Sequence, residues 1–590
     1  MSNLRRRNKK VEPIIEFKNF TFRYHVQSEP TLYDINLKIF PGEKVLILGP
    51  SGSGKSTLVH CLNGLIPFAY KGEITGSLKI KGFETRELDI FKLSKIVGTV
   101  LQDTDAQFVG LTVGEDIAFA LENDNVPHEE MKKRVEEAAK MVGMEKFLNH
   151  SPFEISGGQK QRTTIAGVLV DNVDVLLFDE PLANLDPATA KKAMEIIDEL
   201  HTKTGKTVII VEHRLEDVLH REIDRVIVLK DGRIIFDSNP HELMESDVLS
   251  SAGLREPLYV SALKYSGLKI SKEIKPGYIS TLSLPDKEKE NVRKWFNSNS
   301  KDVQKMTDES EPILRVENLN FSYERGKPVL KNINLEIKDG EMISIVGKNG
   351  AGKSTFAKVL CGFVKEDSGK IIYKNEILNN MTIKERAQFI GFVMQNPNQM
   401  ITKPIVYDEI ALGLRLRKVP EDVIERKVDE VAQICGLKPF IKWPISALSY
   451  GQKKRVTIAS ILALDPKIII LDEPTAGQDF SHYSEIMEFL AELNSNGITI
   501  ILITHDMHLI MEYTHRAVVF ADGEIVANDE PSKILTNFEV IEKANLKETS
   551  LYSLANIVGI NETSEFVQHF IDYDRTVRKS HARKADNVHI

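Results

Sequence analysis

Residues 48–57 read LGPSGSGKST, and they stand between the apolar run Val45–Leu48 and the helix-like segment Leu58–Leu62. Glycines let a backbone wrap around a phosphate with its N–H groups directed inward, and a helix that begins there adds a partial positive charge. The side chain of Lys55 can then reach the β and γ phosphates of a nucleotide, and the hydroxyl of Ser56 can ligate Mg²⁺. The order of strand, glycine-rich loop and helix therefore predicts a phosphate-binding loop in an α/β fold.

The chain contains a second version of this loop, VGKNGAGKST at 346–355. We call Gly49–Thr57 the first phosphate loop and Gly347–Thr355 the second. Four pairs of single residues recur at a nearly constant offset, namely Lys55 and Lys353, Gln102 and Gln395, Asp179 and Asp472, and His213 and His505. A chain of 590 residues is too long for one hydrophobic core. We therefore interpret the sequence as two copies of one domain.

Each copy also has an acidic pair at the end of an apolar run. Asp179 and Glu180 follow four apolar residues in VLLFDEP, and Asp472 and Glu473 follow the corresponding run in IIILDEP. A buried strand that ends in this way can deliver two carboxylates to one site. The aspartate would hold Mg²⁺ through water, and the glutamate would orient the attacking water or accept its proton.

The alternation of apolar strands with helical segments predicts a largely parallel sheet with an inserted helical segment in each copy. The predicted boundaries are 14–245 for the first copy, 246–270 for its C-terminal extension, 271–311 for a linker, 312–540 for the second copy and 541–590 for its extension and a basic tail. The linker is rich in Lys, Glu, Asp, Ser and Asn, so we expect it to be exposed. We expect the basic tail, around Arg575 to Lys584, to be solvated.

Composition and charge narrow the class of protein. Hydrophobic residues make up 42% and charged residues 27%, as in water-soluble globular proteins. We find no run of about 18 apolar residues, which a membrane-spanning helix needs, and no secretory signal at the basic start of the chain. The formal charge of −8 argues against nucleic acid as the main partner. The three cysteines are too few for a disulfide framework, which fits a reducing, cytoplasmic compartment.

Several motifs in this order, present twice, resemble those of the ATP-binding-cassette (ABC) ATPases. ISGGQKQR at 155–162 resembles the signature segment of that family, and LSYGQKKR at 448–455 is a second version. ANLD at 183–186 and AGQD at 476–479 resemble the loop that crosses between two domains. The resemblance covers most of the chain, roughly 14–240 and 313–535. It implies two P-loop NTPase domains, each with a mostly parallel sheet core, an N-terminal antiparallel β part and a helical subdomain.

The resemblance also implies roles for single residues. Gln102 and Gln395 resemble the loop glutamine that touches the metal and senses a membrane partner. His213 and His505 resemble the switch histidine at the γ-phosphate. The aromatic side chains in the position of the adenine-stacking residue are Tyr24 and Tyr323.

The implied site comprises three groups of residues. Those expected to bind ATP are Gly49, Pro50, Ser51, Gly52, Ser53, Gly54, Lys55, Ser56, Thr57, Gly347, Lys348, Asn349, Gly350, Ala351, Gly352, Lys353, Ser354, Thr355, Tyr24, Tyr323, Gln102, Gln395, Ser156, Gly157, Gly158, Gln159, Ser449, Tyr450, Gly451 and Gln452. Those expected to hold Mg²⁺ are Ser56, Gln102, Asp179, Ser354, Gln395 and Asp472. Those expected to act in catalysis are Glu180, Glu473, His213 and His505.

The family arrangement implies that the two halves pair head to tail, with each ATP between one phosphate loop and the opposite signature segment. Lys55 and Glu180 would then work with LSYGQ, in which Tyr450 replaces the first glycine of the family pattern. A tyrosine backbone approaches a phosphate less freely than glycine. We hypothesise that this site turns over more slowly; the alternative is that the tyrosine simply points to solvent. Gln478 also replaces the usual apolar residue of the crossing loop.

Segments 100–123 and 393–414 resemble the glutamine-loop region of energy-coupling factor importer ATPases. This resemblance implies a transmembrane coupling subunit and a small membrane subunit that captures a vitamin or a metal ion. It places the chain on the cytoplasmic face of the cell membrane as a peripheral protein. The first copy departs from the pattern with Asp103-Thr104, where the second has Asn396-Pro397.

Three other classes of ATPase are alternatives. A ribosome-associated or translation ATPase would have a strongly basic helical linker, but 271–311 is mixed in charge and contains Pro276 and Pro285. A DNA-repair ATPase would show long coiled-coil insertions or zinc-type cysteine pairs, and the sequence has neither. A fused sugar-importer ATPase stays open, although the glutamine-loop segments favour the vitamin or ion type.

Overall fold

A computed structural model describes residues 12–102, 107–183, 185–298, 311–475, 478 and 480–586. Within these residues the chain divides into two compact units. Unit 1 lies within Met1–Leu185 and Thr189–Pro285, and unit 2 lies within Asp186–Ala188 and Asp286–Ile590. The Asp103-Thr104 departure, parts of both predicted crossing loops and residues 299–310 of the predicted linker lie outside the described residues.

Unit 1 contains two sheets. Its strands are β1 Ile15–Tyr24, β2 Leu32–Ile39, β3 Lys44–Leu48, β4 Gly72–Ile80, β5 Phe83–Glu84, β6 Val97–Val100, β7 Val175–Asp179, β8 Thr207–Val211, β9 Arg225–Lys230 and β10 Arg233–Ser238. The first sheet has the order β2-β1-β4-β5 and is antiparallel. The second has the order β10-β9-β3-β8-β7-β6, and only its edge strand β10 is antiparallel.

The central strands of this larger sheet are nearly continuous apolar runs, as is typical of parallel sheets in α/β proteins. Every residue of β3 and β8 is buried. The helices of this part of the chain are α1 Lys55–Leu62, α2 Leu65–Phe68, α3 Ile90–Ser94, α4 Val113–Asn123, α5 His128–Met141, α6 Gly157–Leu169, α7 Pro187–Thr204, α8 Leu215–Val218, α9 Pro240–Glu245, α10 Val248–Ser251 and α11 Leu258–Tyr265.

Unit 2 repeats the two sheets. Its strands are β11 Pro312–Glu324, β12 Lys327–Lys338, β13 Met342–Gly347, β14 Ser368–Tyr373, β15 Glu376–Ile377, β16 Ile390–Val393, β17 Ile468–Asp472, β18 Thr499–Ile503, β19 Arg516–Ala521 and β20 Glu524–Asp529. The antiparallel sheet has the order β12-β11-β14-β15, and the mainly parallel sheet has the order β16-β17-β18-β13-β19-β20. The predicted fold class is thereby confirmed in both copies.

The helices of unit 2 include the predicted helical subdomain. They are α12 Asp286–Ser298, α13 Lys353–Leu360, α14 Ile383–Arg386, α15 Val406–Leu416, α16 Glu421–Ile434, α17 Tyr450–Leu462, α18 Phe480–Ser495, α19 Met507–Tyr513, α20 Pro531–Ile534, α21 Phe538–Lys543, α22 Ser550–Val558 and α23 Thr563–Asp586. The subdomain helices α15, α16 and α17 share one apolar core, to which they contribute Ile410, Val428 and Val456. None of the described helices combines the length and the apolar composition that crossing a bilayer requires.

Residues 271–298 are folded, so the expectation of an exposed linker is wrong for this stretch. The phenol of Tyr278 is buried in unit 1, where it donates to the Ile223 carbonyl at 2.8 Å and accepts from the Ile223 amide at 2.9 Å. In unit 2, Trp295 of α12 packs edge-on against Phe566 and Tyr573 of α23. The charged residues of this stretch face solvent while a narrow apolar stripe is buried. The boundaries of the two copies and their extensions remain predictions.

The beginning of the basic tail is also packed rather than solvated. Arg575 on α23 donates through Nε to the Glu512 carbonyl at 3.0 Å. Arg578 bridges two carboxylates, with Nη2 2.8 Å from Glu512 Oε1 and Nε 2.7 Å from Asp574 Oδ2. These arginines satisfy a buried carboxylate and the carbonyls at the end of α19, which a charged but unpaired tail could not do.

Candidate functional site

The two phosphate loops hold their lysines in the same way. Each loop leaves the end of a central strand, β3 or β13, and ends where α1 or α13 begins. Lys55 Nζ donates to the carbonyls of Gly49 and Pro50 at 2.6 and 2.9 Å. In the second loop, Lys353 Nζ donates to the two corresponding carbonyls at 2.7 and 3.0 Å. Both lysines are buried, and burial lowers the pKa of Lys353. The two ammonium groups thus lie inside loops whose curvature suits a phosphate.

One glycine in each loop is required by the backbone and by its surroundings. Gly54 has φ 100 and Gly352 has φ 102, immediately before the first residue of α1 and α13. A Cβ on Gly54 would lie 2.8 Å from Leu32 Cδ2, and one on Gly352 would lie 2.9 Å from Leu330 Cδ2. No other residue type fits both the left-handed conformation and this close approach. The loop can therefore turn sharply enough to direct its N–H groups inward.

The two tyrosines predicted to stack on a base lie beside the phosphate loops. Tyr24 OH is 3.1 Å from Thr57 Oγ1, and Tyr323 OH is 3.4 Å from Thr355 Oγ1. The ring of Tyr24 also meets Tyr70 edge-on at 6.4 Å. Each tyrosine thus borders the start of the helix that follows the loop, where the base of a bound nucleotide would need a flat partner.

In unit 1 the acidic pair, the loop glutamine and the histidine come together. Asp179 ends β7, and Glu180 follows it. Gln102 Nε2 donates to Glu180 Oε2 at 2.7 Å, and His213 Nδ1 lies 3.8 Å from Glu180 Oε1. Burial and the neighbouring Glu180 carboxylate raise the pKa of Asp179 to about 6. The four predicted residues therefore form one cluster.

The charges of this cluster depend on one another. Burial alone raises the pKa of Glu180, but the facing imidazole of His213 and the ammonium of Lys55 hold it below its ordinary value. Burial lowers the pKa of His213, but the carboxylates of Glu180 and Glu212 outweigh burial and raise it above its ordinary value. The imidazole thus favours the ionised form of Glu180, and the two carboxylates favour the protonated form of His213.

The corresponding cluster in unit 2 is arranged differently. His505 Nδ1 is 2.7 Å from Glu473 Oε1, which is a direct hydrogen bond. Burial raises the pKa of Asp472, while a hydrogen bond with the Ser354 hydroxyl acts in the opposite direction. Gln395 is exposed, and its backbone carbonyl accepts hydrogen bonds from Tyr450 and Lys454. The histidine, the glutamate and the aspartate meet as predicted, whereas the glutamine side chain does not join them here.

The residues at the ends of these strands suit a hard divalent cation. Asp179 and Asp472 are carboxylates whose ionised forms are destabilised by burial, and a cation beside them would remove that penalty. Hydroxyls are available at Ser56 and Ser354. Among the described residues, no group of three or more His, Cys, Asp or Glu is arranged to hold a metal ion. The carboxylate and hydroxyl oxygens fit Mg²⁺, which keeps few protein ligands and also binds phosphate oxygens and water.

The two signature segments begin helices with the same capping pattern. In unit 1, the Ser156 side chain accepts from the Gln159 amide and the Gln159 side chain accepts from the Ser156 amide, at 3.4 and 2.8 Å. Ser449 and Gln452 form the same reciprocal pair at the start of α17, at 3.2 and 2.9 Å. Each box fixes the first turn of its helix and so orients the N–H groups at its start.

Tyr450 has a protein partner and does not point only to solvent. Its OH donates to the Gln395 carbonyl at 3.2 Å. A second side chain that motif order did not single out bonds to the same backbone. Lys454, in the same signature segment, donates to the Met394 and Gln395 carbonyls, both at 2.8 Å. The sequence does mark Lys454, because a lysine stands there where the first copy has Gln161.

Glu212 is a second residue that the motif analysis missed. It is fully buried directly before His213. Its Oε1 accepts from the Leu182 amide at 3.0 Å, and its Oε2 accepts from the His213 amide at 2.8 Å. Glu212 therefore joins the segment after Glu180 to the loop that carries the histidine. The second copy has Thr504 at this position, and this difference between the copies is visible in the sequence.

An apolar groove lies beside the edge strand β16 of unit 2. We define it by Phe363, Ile383, Phe392 and Ile461, which line a pocket of about 120 Å³. Phe363 is 49% exposed, and Ile383, the first residue of α14, is also exposed. In unit 1 the first residue of the corresponding helix α3 is Ile90, again exposed. Exposed apolar side chains therefore lie beside the strand that leads into the glutamine loop.

Three family models match the chain. The model described as "ABC transporter" matches residues 32–183 and 330–476. A model described as "ATP-binding cassette cobalt transporter" matches residues 246–321. A model described as an AAA domain matches residues 441–512. The first of these matches covers both phosphate loops and both acidic pairs.

Curated relatives align along nearly the full length. A protein of Clostridium perfringens named as an ABC transporter ATP-binding protein is 56% identical over 565 residues, which is 96% of this chain and 99% of the relative. One of Staphylococcus aureus with the same description is 50% identical over 570 residues, 96% of this chain and 100% of the relative. Among solved structures, CbiO1 from Clostridium perfringens, described as part of the ABC transporter complex CbiONQ, is 38% identical with a TM-score of 0.38; the match covers 43% of this chain and 100% of that chain.

Proposed function

This chain is a member of the ABC transporter ATP-binding family, whose members hydrolyse ATP, and we propose that it drives import of a small solute by an energy-coupling factor type transporter. The observation that carries the proposal is the pair of complete clusters, one in each unit, in which a lysine-bearing phosphate loop adjoins an acidic strand end and a histidine. The solute would be a vitamin or a metal ion, captured by a separate membrane subunit.

In the proposed reaction, the phosphate loops bind the β and γ phosphates through backbone N–H groups and through Lys55 and Lys353. Tyr24 and Tyr323 stack on the adenine. When Mg²⁺ is bound, held by Ser56, Gln102 and Asp179 or by Ser354, Gln395 and Asp472, it neutralises charge on the phosphate oxygens.

The proposed catalytic residues are the glutamates after the strand ends. Glu180 and Glu473 orient the attacking water and accept its proton at the carboxylate. His213 and His505 face those carboxylates and hold them in place, at 3.8 and 2.7 Å respectively. The ionised state of Glu180, which the neighbouring cations favour, suits a group that must accept a proton.

We propose further that the two halves pair head to tail. Each nucleotide then lies between one phosphate loop and the start of the opposite signature helix, α6 or α17. The oriented N–H groups at those helix starts would bind the γ-phosphate. ATP would thus hold the halves together and hydrolysis would release them. Fusion of both copies in one chain keeps the effective concentration of the two halves high.

The proposed partner is a transmembrane coupling subunit at the cytoplasmic face of the cell membrane, where this chain would be peripheral. Two observations support it. The family model for residues 246–321 is described as "ATP-binding cassette cobalt transporter". The apolar groove exposes side chains beside the strand that enters the glutamine loop. Exposed apolar surface of this kind suits a helix from a membrane protein.

The experiment is co-purification of tagged chain from its native membrane. We expect a membrane protein to co-purify with wild type, because the groove offers an apolar docking surface. Phe363→Asp should reduce its recovery by about tenfold or more, since burial of a charge there is unfavourable. ATP binding by the variant should remain unchanged.

The matched control is Phe538→Asp. Phe538 is 53% exposed, close to the exposure of Phe363. It lies on α21, whose Val540 packs in one apolar cluster with residues of β19, whereas β16 is the strand at the other edge of that sheet. We expect this variant to recover the partner like wild type. If no membrane protein co-purifies with wild type, the import function is wrong. If both variants recover it equally, the groove is not the docking surface.

A further inference from the structure

The second signature segment, Leu448–Arg455, contacts the backbone at the start of the second glutamine loop, which we define as Gln395–Met400. Tyr450 OH donates to the Gln395 carbonyl at 3.2 Å. Lys454 Nζ donates to the Met394 and Gln395 carbonyls, both at 2.8 Å. Three hydrogen bonds from α17 therefore converge on two successive carbonyls, directly after β16 ends at Val393.

Lys454 is an unusual residue to find at this position. Its side chain is fully buried, and burial lowers its pKa to about 8, against the opposing effect of the Asp472 and Glu473 carboxylates. A buried ammonium needs acceptors for its hydrogens, and two carbonyls supply them here. Because hydrogen bonds from a charged donor are stronger than neutral ones, this contact holds the loop backbone firmly.

The first copy lacks both side chains. Gly157 stands in place of Tyr450, and Gln161 stands in place of Lys454. Gln161 Nε2 donates instead to the Pro181 carbonyl at 2.6 Å, the residue directly after Glu180. In unit 1 the signature helix α6 is thus bonded to the acidic strand end, whereas in unit 2 the signature helix α17 is bonded to the glutamine loop.

We propose that Tyr450 and Lys454 are positioning residues that fix the second glutamine loop to the signature helix α17. The effect of this contact on a membrane partner rests on the proposed function. A movement of α17, when its N-terminus engages a nucleotide, is transmitted through these three hydrogen bonds to Gln395. From there it reaches the membrane partner beside β16. The second copy thereby couples nucleotide binding to its partner by a contact that the sequence of the first copy does not provide.

The test is hydrogen–deuterium exchange of the full chain without any partner. In wild type, we expect the amides of Gln395–Met400 to be protected. Tyr450→Phe removes one donor, and Lys454→Gln places in unit 2 the residue that the first copy has. The double variant should speed exchange in this loop by about tenfold, the effect of losing hydrogen bonds of ordinary strength.

Two further variants separate positioning from general loss of structure. Lys453→Gln makes the same change one residue earlier on α17 and should leave exchange in the loop unchanged. Lys454→Arg keeps a permanent positive charge and should restore most of the protection. Tyr450→Phe alone removes only a hydroxyl, so it keeps the test valid if the Lys454 variants fold poorly.

The outcomes distinguish this inference from the proposed function. Unchanged exchange of the loop in Tyr450→Phe and in the double variant overturns the positioning role, whether or not a membrane partner exists. Faster exchange in those variants, with Lys453→Gln like wild type, supports it. In membranes that contain the partner, Lys454→Gln should also lose most of the partner-dependent stimulation of ATP hydrolysis while its KM for ATP stays unchanged; a raised KM with stimulation intact would contradict the role.

Discussion

The two glutamates that we propose as catalytic residues have an unusual backbone conformation. Glu180 has φ 48 and Glu473 has φ 47, and they are the only glutamates with positive φ among the residues that the structure describes. The other non-glycine residues in this conformation are Asn, Asp and Lys. Each glutamate amide donates to the neighbouring strand, to Val211 or to Ile503, at 2.8 Å. Strain of this kind persists where surrounding contacts enforce it, and its recurrence in both copies marks a functional constraint.

Asp179 is expected to destabilise the nucleotide-free protein above pH 6. Its pKa is raised from 3.8 to about 6, so the folded protein binds this proton more tightly than the unfolded chain. Stability therefore falls as the pH rises from 3.8 to 6 and stays lower above that range. Asp179→Asn should raise the free energy of unfolding by up to about 3 kcal/mol at pH 7.5, an advantage that shrinks as the pH is lowered from 6 to 4. Urea unfolding at several pH values measures it.

The matched control for this prediction is Asp174→Asn. Asp174 precedes β7, which Asp179 ends, and its partly exposed carboxylate lies 2.7 Å from Lys81 Nζ. Its loss should change the unfolding free energy by less than about 1 kcal/mol. Asp179→Asn should also lose the stabilisation that ATP and Mg²⁺ give to wild type. A variant that is destabilised equally at pH 4.5 and pH 7.5 would contradict the raised pKa.

At the scale of elements, α12 stabilises unit 2. Trp295 is 7% exposed and packs on the aromatic side chains of α23. Arg293 Nε also donates to the carbonyl of Val558, the last residue of α22, at 2.7 Å. A helix from the middle of the chain thus completes the C-terminal helical region of unit 2, next to the arginines that contact α19.

Trp295→Ala should destabilise unit 2 by about 3–5 kcal/mol, the usual effect of removing a buried tryptophan side chain. Thermal unfolding followed by circular dichroism measures the change. The chain has only two tryptophans, so Trp443→Ala is the natural control: Trp443 is 46% exposed, and its loss should have a much smaller effect. Equal midpoints for Trp295→Ala and wild type would show that α12 does not stabilise the unit.

The elements show where sequence reasoning succeeds and where it stops. Central strands such as β3 and β17 are continuous apolar runs that end in loop or acidic motifs, so both sheets and both phosphate loops could be predicted. α12 could not, because its sequence is mostly charged and its apolar stripe consists of Val292, Trp295 and Phe296 alone. Such a stripe can be recognised as a buried face only when the helix that it packs against, α23, is known.

The same limit applies to the candidate site. Motif order brought Glu180, His213 and Gln102 to one place, since their positions depend on strand ends that the motifs mark. The partners of Tyr450 and Lys454 are backbone carbonyls, and no sequence pattern marks a carbonyl. Substitutions within a motif could show that the two copies differ but not what the new side chains contact.

The two copies in the chain share a fold but differ in the side chains around the proposed ATP sites. The distance from histidine to glutamate is 3.8 Å in unit 1 and 2.7 Å in unit 2. Three of the pairs that differ at equivalent positions are Glu212 and Thr504, Gly157 and Tyr450, and Gln161 and Lys454. Each difference changes which segments are bonded to one another. Two fused copies can diverge in this way because each contributes half of both proposed sites.

We predict that the two proposed ATP sites contribute unequally to ATP hydrolysis. In the proposed head-to-tail arrangement, Glu180 would work with the signature segment that carries Tyr450, and Glu473 would work with the one that carries Gly157. The tyrosine restricts approach to phosphate and its hydroxyl is bonded to Gln395, so the site of Glu180 should be the slower one.

Glu473→Gln should therefore remove most ATP hydrolysis, leaving about a tenth or less, because loss of a general base slows its own site by about 10²–10⁴-fold. Glu180→Gln should leave more than about half of the rate, since the faster site remains intact. Steady-state ATPase rates of both variants, with nucleotide binding measured in parallel, make the comparison. Tyr450→Gly in the Glu473→Gln background is the decisive addition: if the tyrosine limits the site of Glu180, this change should raise the residual rate several-fold. Equal losses for the two glutamine variants, or no gain from Tyr450→Gly, would mean that the substitution does not set the rate.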